Sequence, residues 1–161
     1  MKAKTSLPAK LASVRPIAEP YTLADEHLGW SIRLSLVRSD SLAAELNSIQ
    51  LVSIDHSDQP LNQIVPRLVD GIQQHLGPLV TVEVDDRLHG AQLRSKTIQE
   101  GEYYEVRIQN HDPSSPTRYA VAVSRYLAVP GQVRQPQQFT LTHQTLDSLV
   151  HDMITAFSVN R

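Results

Sequence analysis

Apolar residues recur at helical spacing in two stretches of this chain. Leu61, Ile64, Val65, Leu68, Val69, Ile72 and Leu76 share one face of a 3.6-residue repeat, and Leu146, Leu149, Val150, Met153, Ile154 and Phe157 share another near the C-terminus. Each stripe predicts an amphipathic helix that covers an apolar surface. Asp58 is the expected N-cap of the first, with Pro60 early in it and Gly77-Pro78 as its stop. Pro66 predicts a kink or a later start. Thr142 is the expected N-cap of the second, with Leu141 and Leu146 spaced as a hydrophobic staple.

Alternation of period two predicts strands elsewhere. Trp30, Ile32, Leu34 and Leu36 alternate with Ser31, Arg33 and Ser35, Leu42 to Leu46 reads as a helical turn, and Ile49 to Ile54 reads as a second strand. Four more follow the first helix. Leu79 to Val84 places Val80, Val82 and Val84 on one face. Ala91 to Ile98 is polar on both sides and is expected at an edge, where Arg94 and Lys96 discourage stray pairing. Tyr103 to Gln109 turns Tyr104, Val106 and Ile108 inward. Arg118 to Ala128 is the longest and the most central. Asn110 to Thr117 and Val129 to Gln138 read as loops. Short links imply antiparallel pairing. The expected class is α+β, an antiparallel sheet of four to six strands with two amphipathic helices packed on one face and the other face wet.

Length allows one domain. Residues 1–20 carry Lys2, Lys4, Lys10 and Arg15 before the first acid, Glu19, and read as a mobile basic tail, with an organelle-targeting peptide as the other reading. Residues 21–161 read as a single α+β domain, with 21–58 an N-terminal hairpin and 61–157 the core. The absence of cysteine excludes disulfides and thiolate chemistry, and fits a cytoplasmic protein. A net charge of −2 gives no general attraction to DNA or anionic membranes. No apolar run is long enough to span a bilayer.

Four constellations bear on chemistry. His143, Asp147 and His151, spaced by four on the second helix, could ligate zinc or nickel, or form its solvated face. Asp55-His56-Ser57-Asp58 has the residue types of a nucleophilic triad, but turn-and-cap chemistry explains all four. Glu83, Asp85 and Asp86, with Glu100, Glu102 and Glu105, offer paired carboxylates or a solvated strand face. Arg94, Tyr103, Arg107, Tyr119 and Arg125 make an aromatic and basic sheet surface suited to a partner, with Tyr103 and Arg125 expected on one face. No glycine-rich phosphate loop occurs and no cofactor is expected.

The favoured function is a non-enzymatic protein-binding module, an adaptor, assembly factor or secretion-type chaperone, whose partner is another protein or a second copy in a homodimer. The alternatives are a small enzyme or ligand-binding domain with a pocket between sheet and helices, and single-stranded nucleic-acid binding through the sheet face. The outline of helix, curved antiparallel strands and helix over residues 61–157 is similar to the dimeric chaperones of bacterial type III secretion. No motif carries that similarity, and the short helix those chaperones place between strands is not evident here.

Overall fold

A computed structural model of the chain describes residues 21–54, 59–85, 90–96, 101–112 and 115–158. Residues 1–20, the Asp55 to Asp58 segment, Asp86 and Glu100 lie outside the described residues, and with them the tail, the Asp58 cap and the triad-like turn. Strands β1 (Tyr21–His27), β2 (Trp30–Ser39) and β3 (Ala43–Ser53) precede helix α1 (Leu61–Leu76). Strands β4 (Leu79–Asp85), β5 (Gly90–Ser95), β6 (Glu102–Asp112), β7 (Ser115–Leu127), β8 (Gln135–Gln137) and β9 (Phe139–Thr142) follow, and helix α2 (His143–Phe157) closes the described fold. The class is α+β with one antiparallel sheet, of nine strands rather than four to six.

The strand order is β1-β2-β3-β7-β6-β5-β4. β7 is the longest strand and lies at the middle of that order. β3 pairs with β7 only from Ile49 to Val52; toward its start it pairs with β9 instead. β8 in turn pairs with the end of β7. The sheet therefore splits between β3 and β7, and the β8–β9 segment fills the fork before the chain enters α2. The backbone N–H of His143 donates to Leu42 O at 2.9 Å, tying the helix start to the β2–β3 turn.

Alternate residues of the strands and the stripes of both helices form one core cluster. It takes Trp30, Ile32, Leu34 and Leu36 from β2, Val106 and Ile108 from β6, Val121 and Val123 from β7, and the buried positions of α1 and α2. Each such side chain contributes roughly 1.5–3 kcal/mol when fully buried. Aromatic rings join distant elements there: Trp30 and Phe157 lie 4.9 Å apart by centroid, Tyr119 and Phe157 5.6 Å, and Tyr104 meets Phe139 edge-on at 5.4 Å. The helices pack on each other, with His75 Nε2 and Asp152 Oδ2 2.8 Å apart.

Several elements differ from expectation for local reasons. Leu42 to Leu46 is not a helical turn; Ala43 to Leu46 is strand, because Ser35 pairs with Ser48 and Leu36 with Leu46, leaving Asn47 as an extra residue. That bulge lets Leu46 and Ile49, an odd spacing apart, both face the core. α1 starts at Leu61 with Pro60 as its N-cap and no side-chain cap, and it runs through Pro66, which lies on the exposed side of the helix. Thr142 does cap α2, its Oγ1 accepting from Thr145 N at 3.1 Å. Asn110 to Asp112 and Ser115 to Thr117, expected within a loop, belong to strands β6 and β7. β5, expected at the edge, is interior, and β4 is the terminal strand.

Candidate functional site

Two surfaces stand out. The first is the sheet face away from the helices. β6 sets Tyr103, Glu105 and Arg107 on that side, opposite in parity to buried Tyr104, Val106 and Ile108. Arg94 of β5 lies 4.4 Å from the centroid of the Tyr103 ring. Arg134, just before β8, places its guanidinium 3.9 Å from the centre of Tyr126. Its Nη1 donates to Glu105 Oε2 at 2.7 Å and to Tyr103 Oη at 3.3 Å. Gln92 Nε2 donates to Glu105 Oε1 at 2.6 Å, and Arg107 Nη2 reaches the same oxygen at 3.5 Å. Glu105 is 3 % exposed as a result. Partial burial opposes the charge on Arg134, but the hydrogen bonds to Tyr103 and Glu105 outweigh it and hold its pKa above the ordinary guanidinium value.

Both Glu105 oxygens are thus occupied, whereas Arg94 Nε is buried without a hydrogen-bond partner among the described residues. Arg94, Tyr103 and Arg107 lie on this one face, with Tyr103 buried at 7 % exposure beneath Arg94 and Arg134. Tyr119 and Arg125 are not with them. Both share the parity of Val121 and Val123, which is the core parity. Tyr119 is 1 % exposed against Phe157, and its Oη donates to Gln59 O at 3.4 Å. Arg125 sits across from Tyr104 and pairs with Glu102. Tyr103 and Arg125 therefore lie on opposite faces, not on one surface. The sequence reading missed Tyr126, Gln92 and Arg134; the parity of Tyr126 with Ser124 and Ala122 was the available signal for the first.

The helix constellation does not assemble. His143 is buried, with Nε2 3.3 Å from Ser39 Oγ, while His151 is exposed, its ring 6.3 Å from that of His27, and Asp147 is part-exposed. Four-residue steps rotate each side chain about 40° around the axis, so the first of the three turns into the β2–β3 turn and the last faces out. Among the described residues no three His, Asp or Glu side chains converge as a metal site. The carboxylates separate too: Glu102 is bound by Arg125, Glu105 by Arg134, and Glu83 and Asp85 stand on β4.

The second surface is β4 itself. Val80, Val82 and Val84 are 55 %, 53 % and 37 % exposed. They do not share a face. Thr81 pairs with Leu93 and Glu83 with Gln92, so Val82 is an extra residue in a bulge, and Val80 lies opposite Arg94 while Val84 lies opposite Ala91. Of the apolar residues of β4, Leu79 packs on the core. Beyond β4 the sheet has no further strand among the described residues. Beside it, Glu83, Asp85, Gln92 and Arg107 line a shallow depression of about 360 Å³. No helix among the described residues is long and apolar enough to cross a membrane.

Comparison with family models, curated proteins and solved structures gave no significant match.

Proposed function

We propose that the protein is a non-enzymatic protein-binding module that takes an extended segment of its partner along the open edge of β4. The observation that carries this reading is the set Val80, Val82 and Val84, in water on a terminal strand. Edge strands are ordinarily blunted by charged side chains, proline, a bulge or a cover, because their free N–H and C=O groups template further pairing. β4 has no cover among the described residues; its bulge and the acids Glu83 and Asp85 restrict pairing to a segment whose charge complements them. An added strand would satisfy the free backbone groups and cover the valines, with main-chain bonds giving affinity and side chains giving selectivity. The two acids favour a segment that mixes apolar residues with Lys or Arg. Strand addition is one of the recurring modes of peptide recognition, open to an adaptor, an assembly factor or a secretion-type chaperone.

The Arg94–Tyr103–Glu105–Arg134 cluster is assigned a structural role, since its members hold one another: Gln92 and Arg134 bind Glu105, and Arg94 lies over the Tyr103 ring. A photocrosslinking residue in place of Val82 tests the reading against the same residue in place of Gln50, an exposed position on β3. A discrete covalent adduct with a protein from Val82 alone is expected. No adduct from Val82, or equal adducts from both positions, would refute it.

A further inference from the structure

We infer that the segment seated on β4 is residues 9–15 of a second copy of this chain, exchanged reciprocally in a homodimer. This rests on the reading above and names its occupant. Residues 9–15, Ala-Lys-Leu-Ala-Ser-Val-Arg, form a proline-free run of seven between Pro8 and Pro16, and β4 also has seven residues. Prolines at the ends of an added strand are tolerated, whereas proline within it would remove a pairing N–H. Leu11 and Val14 supply apolar side chains for the exposed valines. Lys10 and Arg15 lie within the run, Lys2 and Lys4 precede it, and no acid occurs before Glu19, so the segment is complementary in charge to Glu83 and Asp85.

Reach decides between the chain's own tail and a neighbour's. Tyr21 begins β1, the opposite edge of the same sheet. Six inter-strand spacings of ~4.8 Å separate β1 from β4, about 29 Å across the sheet. Six residue steps from Tyr21 back to Arg15 span about 20 Å when fully extended. The run therefore falls short of its own β4. A second copy can present it, and reciprocal exchange closes the contact as a two-fold dimer instead of an open chain. Pro16 and Pro20 favour an extended connection between β1 and the donated strand.

Analytical ultracentrifugation of the full chain and two full-length variants tests this. Leu11→Pro disables the donated strand and leaves β4 intact; Val82→Lys does the reverse. The unaltered chain is expected to sediment at twice the chain mass at high micromolar concentration, and each variant alone at the single-chain mass with its helical circular dichroism signal and cooperative melt retained. Mixing the two variants should restore a dimer, because one donor and one acceptor remain. That complementation cannot come from misfolded chains. A Leu11→Pro chain that stays dimeric while Val82→Lys is monomeric would overturn the inference in favour of direct β4–β4 pairing. A monomeric unaltered chain would overturn it as well, and a Val82 adduct to a different protein would then leave the binding-module reading standing alone.

Discussion

Among the described residues Glu105 is the one buried carboxylate, although its strand parity turns it away from the core. A carboxylate removed from water is stable only when its oxygens are occupied, and here Gln92, Arg107 and Arg134 occupy them. Arg134→Ala is expected to cost about 1–3 kcal/mol, since it strips the closest cation from a buried anion. Chemical denaturation measures it. In the Arg134→Ala background, Glu105→Gln should recover part of the loss, because the neutral amide no longer needs a cation; simple additivity of the two changes would rule out coupling. Parity along β6 told which way Tyr103, Glu105 and Arg107 point. It could not tell that Arg134, 29 positions later, would return to cover them. Inside and outside are local properties of a strand, whereas burial depends on what the rest of the chain lays over it.

Turns and bulges decide the elements. Asp40 Oδ1 accepts from Leu42 N and Ala43 N, each at 2.8 Å, and so shapes the β2–β3 connection. The hydrogen bonds from Ala43 and Leu42 hold the Asp40 carboxyl below the usual carboxylate range. A depressed native pKa means that this contribution is present above the unfolded value of about 3.9 and is lost as pH falls through the lower native value. Asp40→Asn removes the titration, so its stability should decline less steeply on acidification than that of the unaltered chain; equal slopes in denaturation midpoint against pH would refute this. Both helices and the α2 cap were legible in the chain because a 15-residue stripe averages over local irregularity. The strands were read less well. Single extra residues at Asn47 and Val82 shift the phase of alternation, and nothing in composition marks such an insertion. β5 reads as an edge strand because it is polar on both sides and carries Arg94 and Lys96, yet Gln92 and Arg94 face the Glu105 and Tyr103 cluster.

Long-range pairing organises the whole molecule. β9 and α2, from the end of the described chain, complete a sheet begun at Tyr21, and α2 alone buries His143, Leu146, Leu149, Val150, Met153, Ile154, Ala156 and Phe157. A chain ending at Arg134 loses that set together with the strands that fill the fork. It is expected to lose cooperative thermal unfolding altogether; a sharp calorimetric transition with strand content intact would contradict this. Nothing in the sequence forecast the fork, since a split between β3 and β7 is a property of the twisted sheet and not of either strand. The contact between Trp30 and Phe157 has a practical side. The chain has one tryptophan, and it rests against the last turn of the closing helix. Its intrinsic fluorescence is thus a built-in reporter that reddens when α2 undocks, with no label attached.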